Sequence, residues 1–545
     1  MPAPDLILLD GTVHTMDPAR PFCEAVAMAG KHIVAVGTNA EIRALSGPKS
    51  RVLEVEHATV LPGFNDAHVH FLAGGFALSN VDLRNTASPA QLVQRLGEYA
   101  RTFPSGRWVQ GGDWDHENWG AGAGAAHGVA HASSRLPTRW LIDPVTPAHP
   151  ALITRLDGHM ALANSLALRL AGITRDTPDP PGGLIVRDRK TGEPTGILKD
   201  SAQNLVERVI PAKSIEEKRA AARAATRHAA ACGVTSLTDV STDDDLELYE
   251  EMLGRNELLT RIYAARSVVS GQKLLEAGAR AGLGSDMLRI GILKGFSDGS
   301  LGSSTALFFE PYADDPNNRG LLFDQMFPEG IMRQRVEAAD RAGLQVMIHA
   351  IGDEANLRIL DLYAEVAAAN GARDRRFRIE HAQHLRPQEI PRFAQQKVIA
   401  SMQPYHAADD GRWCEKRVGK ERSRTAYAFR SLLDSGAVLA FGSDWTVAPL
   451  NPLLGIKAAV TRQTLDGRHP NGWIPEQKIS LDEAIRAYTV GSAYAEFTEG
   501  VKGALAPGKL ADVVVLDRDI HKSEPSTIDQ ARVILTILDG RIVFQ

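Results

Sequence analysis

Residues 59–70 read TVLPGFNDAHVH, an apolar, β-branched run that ends in His68 and His70. Side chains two apart on a strand project from the same face, so both imidazoles face one point at the strand end. Neutral imidazole suits Zn, Fe, Ni or Mn better than Ca or Mg. An isolated pair of this kind also occurs on ordinary surface strands, so the weight falls on whether the pattern repeats. It does. LRIGILKGFSDG carries Lys294 at the end of an apolar run, GLQVMIHAIGD carries His349, RFRIEHAQH carries His381, and AVLAFGSDW carries Asp444. Each follows a segment of helical character, as in a repeating β/α plan. One such residue is most simply a satisfied core or loop side chain. Five strand ends that supply four His, a Lys and an Asp read as a metal centre.

Eight candidate strands can position these residues, near 60–69, 233–240, 261–268, 287–295, 344–349, 376–381, 397–402 and 437–443. Amphipathic stretches separate most of them. SIEEKRAAARAATRHAAACG, with charges early and Cys232-Gly233 at its end, reads as a helix leading into a strand. Eight parallel strands close a (β/α)8 TIM barrel, whose active site lies at the C-terminal strand ends, where all six residues fall. The count requires residues 85–215 to be a large insertion after barrel strand 1, with PALITRL at 150–156 an extra strand outside the barrel. Both chain ends are β-rich. LILLDGTVHTM suggests a hairpin turning at Asp10-Gly11, and ADVVVLD and RVILTILDGRIVF repeat that texture near the C-terminus. Neither piece has enough strands to be stable alone. Residues 1–58 and 498–545 are therefore expected to build one small β-sandwich beside a barrel spanning 59–497.

Composition sets the class. At 545 residues with a 44% hydrophobic and 23% charged fraction, the chain can bury a large core. A net charge of −5 without a basic run argues against nucleic acid and anionic membrane as partners. Cys23, Cys232 and Cys414 are odd in number and widely spaced, so a disulfide framework is not expected. The opening MPAPDLILLDGTVHT has no basic n-region, and no apolar run approaches the roughly 18 residues of a membrane span. A cytoplasmic location is expected, with a small-molecule substrate as partner and a homodimer as the assembly.

LPGFNDAHVH, GFSDGSLGSSTA, HAIGD, RIEHAQH and FGSDWTVAPLNP together resemble the amidohydrolase superfamily of metal-dependent hydrolases. Within it they are similar to the YtcJ-like branch, amidohydrolase family 3, which includes N-substituted formamide deformylases. The resemblance runs from about residue 5 to the C-terminus. It implies a binuclear centre of two divalent transition-metal ions, zinc foremost. His68, His70 and Asp444 would hold the deeper ion, and His349 and His381 the more exposed one. Lys294 would be carboxylated by CO2, its carbamate bridging both ions, because burial beside cations leaves a neutral amine to react. The alternative is an unmodified Lys294 pairing with Asp298 or a substrate carboxylate at a one-metal site. Water acidified by the ions would attack a carbonyl, with Asp444 taking its proton and returning it to the departing nitrogen.

The expected reaction is hydrolysis of a non-peptide C–N bond in a small amide, N-substituted formamide or N-acyl compound. Two other readings stand beside it: a one-metal aminohydrolase acting on a heterocycle, and a non-catalytic scaffold. Lys294 argues against the first, and six filled ligand positions argue against the second. In the insertion, Trp108 reads as core, whereas the GGDWD setting of Trp114 resembles a glycine-Trp-Asp loop near the family's active site. Trp114 is expected to wall the substrate pocket and the GAGAGAAHG segment at 120–128 to act as a linker or lid. His159 in RLDGHMALANS matches a family DGH motif, or caps a backbone group at a helix start. Asp298, His384 and Gln403 share the strand-end loops and are further substrate or supporting contacts.

Overall fold

The fold, taken from a computed structural model, is described for residues 3–119, 136–241, 245–271, 274, 276 and 278–545. Its centre is a parallel sheet of eight strands paired in sequence order. They are Phe64–Val69, Val234–Asp239, Arg261–Ser267, Leu288–Phe296, Gln345–Ala350, Arg378–His381, Ile399–Met402 and Leu439–Phe441. A short strand, Leu283–Gly284, pairs antiparallel with the fourth. The sheet closes on itself where the Asp444 amide donates to the His68 carbonyl at 2.7 Å and Val69 bridges Trp445. Glycine is needed at that seam, since a Cβ on Gly442 would lie 2.6 Å from the backbone nitrogen of His68. This is the (β/α)8 barrel expected from the strand count.

The helices that wrap it follow their local chemistry. Ile215–Ala231 starts at a capping box in which Ser214 and Glu217 satisfy each other's backbone amides. It buries an alanine face including Ala222, Ala225 and Ala229 against the barrel. Gly233, at a φ of 74°, then turns the chain into the second strand.

Both termini contribute to one two-sheet sandwich. A four-stranded sheet holds Leu6–Leu9, Ala25–Ala29, His32–Gly37 and Arg51–Glu54. A six-stranded sheet pairs Thr12–His14, Phe22–Cys23 and Thr59–Pro62 with Val513–Leu516, Val533–Leu538 and Arg541–Phe544. Leu6, Leu8, Val26, Val60, Val513 and Ile537 share the core between them. Arg261 of the third barrel strand ties sandwich to barrel, reaching Asp512 at 2.7 and 2.8 Å and also Asp539.

Three boundaries differ from the sequence reading. Asp10-Gly11 is not a hairpin turn: Leu6–Leu9 and Thr12–His14 belong to different sheets, so the chain crosses between layers there. The run expected as one strand over 60–69 is two, Thr59–Pro62 in the sandwich and Phe64–Val69 in the barrel. They part at Gly63, where a Cβ would sit 2.2 Å from Thr235 Oγ1. The insertion sheet begins at Val81 rather than after residue 85 and has six strands, Val81–Asp82, Val109–Trp114, Ala151–Arg155, Met160–Ala163, Gly183–Arg187 and Pro194–Asp200. PALITRL indeed supplies one of them, outside the barrel. The 120–128 segment lies outside the described residues. No helix among the described residues is long and apolar enough to cross a membrane.

Candidate metal centre

His68 is the penultimate residue of the first barrel strand, and His70 follows that strand as the residue before helix Phe71–Ala77. Their Nε2 atoms lie 3.5 and 3.2 Å from Oδ1 of Asp444, which follows the eighth strand. His381 completes a group with His68 and Asp444 whose ligand-type atoms all lie within 4.8 Å of one another. The His349 ring is 4.6 Å from that of His381. Lys294 comes from the fourth strand, buried, with Nζ over the Phe296 ring at 4.5 Å. All six expected residues line one cavity of about 590 Å³.

Backbone geometry aims two of them. His381 has a φ of 75° and Asp444 a φ of 56°, in the left-handed region that residues with a Cβ seldom adopt. Such strain persists only where the surroundings impose it, and it marks functional positions.

The donor chemistry fits transition-metal ions. Oδ1 of Asp444 is buried without a hydrogen bond, a costly state for a carboxylate oxygen unless a cation fills it. Burial would raise the Asp444 pKa, but His68 and then His70 and His381 hold it well below the usual carboxylate range. Burial lowers His68, His349 and His381 below their ordinary value, keeping the imidazoles neutral as ligation requires. Each ring has one nitrogen already engaged. His68 Nδ1 donates to Oε2 of Glu380, His381 Nδ1 to Gln403 Oε1 at 2.7 Å, and His349 Nε2 to the Gly299 carbonyl at 3.0 Å. That leaves one in-plane lone pair per ring, the arrangement that fixes tautomer and orientation at metal sites.

Glu380 escapes a reading of the sequence for ligands, yet it is wholly buried with Arg378 Nε 2.8 Å from its Oε1. Burial alone would raise its pKa; Arg378 and His68 pull it down to about 2, so it stays ionised. A charged R-x-E pair inside the apolar strand FRIEH was its signal in sequence. Asp66 is a second such residue: its carboxylate accepts the amides of His68 at 3.1 Å and Ser443 at 2.9 Å, joining the two strand ends that carry His68 and Asp444.

Lys294 makes no ion pair among the described residues, and burial lowers its pKa to about 8. Asp298 is not its partner. That carboxylate is buried and accepts the amides of Leu307, Ile351 and Gly352 at 2.9, 3.0 and 2.9 Å, with burial raising its pKa to about 7. It anchors the strand-end loops and does not line the cavity.

The other expected substrate contacts divide. His159 lines the cavity, with Nδ1 donating to Asp200 Oδ1 at 2.6 Å and its ring 5.0 Å from His349. Gln403 serves His381. His384 faces a separate depression beside Phe308 and does not reach the metal centre. Trp114 is the clearest correction. Its side chain is fully buried in the insertion's own core, its indole donating to the Ile153 carbonyl at 2.9 Å, and it does not wall the cavity. A bulge explains this: Asp113, at a φ of 57°, breaks the register between Gly112 and Trp114. Strict alternation would set Trp114 and Val109 on opposite faces; the extra residue puts both in one core. Asp113 and Gln110 face the cavity instead.

Residues 52–544 match the amidohydrolase family. The chain belongs to it. It is 39% identical to the protein LONG AFTER FAR-RED 3 of Arabidopsis thaliana, over 99% of this chain and 91% of that one. It is 27% identical to the N-substituted formamide deformylase of Arthrobacter pascens, over 99% and 98% of the two chains. A metal-dependent hydrolase of uncharacterised activity from Pyrococcus horikoshii superposes with a TM-score of 0.73 at 28% identity, covering 98% of this chain and 99% of that one. Its closed barrel and the ligand-type residues gathered at the strand ends accord with that membership.

Proposed function

We propose that this amidohydrolase cleaves a non-peptide C–N bond in a small amide, such as an N-substituted formamide or N-acyl compound with an apolar substituent. Two divalent transition-metal ions, zinc foremost, would be held by His68, His70, His349, His381 and Asp444, with a carbamate on Lys294 between them. The observation that carries this reading is the Lys294 amine, buried at a strand end among four imidazoles and Asp444 with no carboxylate paired to it. A neutral amine there can add CO2, forming an N–C bond and losing a proton, and the product is a second anionic ligand beside Asp444. Bound ions supply Lewis acidity for the substrate carbonyl and lower the pKa of water.

The chain's own groups do the rest. Asp444, kept ionised, would take the proton of the attacking water and deliver it to the departing nitrogen. His159, oriented by Asp200, stands at the cavity wall beside His349, where it can donate to the carbonyl oxygen. Phe76, Phe296, Phe323, Leu301 and Ile351 give the cavity an apolar wall that keeps solvent away. Three of the cavity carboxylates pair with arginine, Asp113 with Arg84 at 3.0 Å, Asp157 with Arg155 at 2.7 Å, and Asp409 with Arg412, while Asp200 faces His159 and Asp410 accepts from Tyr427.

A screen of N-substituted formamides and N-acyl amino acids, read by release of the free amine, tests the proposal. Metal-dependent turnover of an apolar amide is the expected result. Release of ammonia from heterocyclic amines, with no amide cleaved, would instead establish the aminohydrolase reading.

A further inference from the structure

A second group of ligand-type side chains lies far from the barrel mouth, where the two chain ends meet. His14 ends the sandwich strand Thr12–His14, and Asp519 and His521 lie just beyond the strand Val513–Leu516. His14 is 3% exposed, and neither of its ring nitrogens has a hydrogen-bond partner. His521 Nε2 donates to Asp482 Oδ1 at 2.9 Å, leaving Nδ1 as a lone pair that is buried and unpartnered. Asp519 Oδ1 accepts the amides of His521 and Lys522 at 3.0 and 3.3 Å. Its Oδ2 is buried and pairs with the ammonium of the exposed Lys522 at 2.9 Å, a partner that a bound cation would displace. Ligand-type atoms of His14, His521 and Asp519 all lie within 4.8 Å of one another.

Orphaned buried polar atoms are rare and costly singly, and two imidazoles carrying them at one point beside a carboxylate need a common explanation. We propose that His14, His521 and Asp519 form a second metal site, binding one divalent transition-metal ion of the zinc class with water completing a tetrahedron. Two imidazoles and a carboxylate are a donor set that such ions accept and that Mg or Ca would not select. The carboxylate of Asp482 behind His521 repeats the support that Glu380 gives His68 in the barrel, fixing the tautomer that presents a free nitrogen. The rings of His14 and His521 now stack at 3.4 Å with an 8° interplanar angle, and each lone pair lies in its own ring plane. Ligation therefore requires the rings to splay, which gives the site a structural signature. Because His14 comes from the N-terminal part of the chain, Asp519 and His521 from the C-terminal part, and Asp482 from the first turn of helix Leu481–Arg486, the ion would pin both ends of the chain to the barrel. Its role would be structural.

The test uses the full-length protein, equilibrated with excess zinc, desalted and analysed for metal, alongside His14→Phe, His521→Ala and Asp519→Asn. The wild type should retain one ion per chain more than each variant, with amide hydrolysis unchanged in the variants and a zinc-dependent rise in Tm that is larger in the wild type than in any variant, since all keep the barrel centre. Anomalous diffraction at the zinc edge should show a peak between splayed His14 and His521 rings. Asp519→Asn keeps side-chain volume and reads the site even if a histidine variant folds poorly. Equal metal content in wild type and Asp519→Asn, with no anomalous peak at this position, would overturn the proposal.

Discussion

The backbone amide of Asp444 donates to the carbonyl of His68 at 2.7 Å, so the hydrogen bond that closes the barrel joins two metal-ligand candidates. Fold and site are coupled at that seam. The coupling runs through main-chain atoms, which separates the chemistry of the Asp444 carboxylate from its place in the structure. Asp444→Asn should therefore fold normally and keep the seam while turnover drops about 10²–10⁴-fold, the usual size of a lost proton-transfer group. Turnover compared at matched metal occupancy checks this. Activity within a few-fold of wild type would make Asp444 a ligand only.

Lys294→Met should lose metal and activity together, with short carboxylates plus bicarbonate restoring part of the rate to Lys294→Ala. Carbon NMR of protein equilibrated with labelled bicarbonate should show a carbamate carbon in the wild type that is absent from both variants. Full metal content and wild-type turnover in either variant would remove the bridging role.

Glu380→Gln keeps the shape but weakens the acceptor behind His68, and metal affinity should fall about 10–100-fold, as for other lost carboxylate supports. Competition with a chelator of known affinity measures it. Linkage adds a pH signature. The folded-state pKa of Glu380, about 2, lies below its ordinary value of 4.5, so its contribution to stability is present above about pH 4.5 and is lost as pH falls towards 2. Tm of the chelator-treated wild type should decline across that window more steeply than that of Glu380→Gln. Parallel curves would mean Glu380 is not held down in the folded protein.

Trp114→Ala should lower stability by about 3–5 kcal/mol, the cost of deleting a large buried aromatic side chain. The ranking of substrates by apolar size should stay as in wild type, because Trp114 packs in the insertion core. A shifted ranking without loss of Tm would place the indole in the pocket after all.

The sequence was most legible where chemistry and periodicity agreed. Lys294, His349 and His381 stand at the ends of apolar runs, and the structure brings them with His68, His70 and Asp444 to one cavity. What stayed hidden depended on tertiary geometry. No local signal reports the bulge at Asp113 that turns Trp114 inward, since alternation is the assumption a bulge breaks. Asp298 looks like a site residue from its loop, but three backbone amides consume its carboxylate. Glu380 adjoins a ligand candidate in sequence, yet its partner His68 lies 312 residues away. The Asp10-Gly11 pair satisfies a turn motif, and only the burial of both neighbouring strands in different sheets decides against a hairpin.

The central claim is a two-ion centre built around Lys294, and metal content tests it most directly. In the His521→Ala chain, which leaves only the barrel centre, elemental analysis after gentle purification should give close to two transition-metal ions per chain. A reproducible value near one would contradict the account and make Lys294 an unmodified amine beside a single ion.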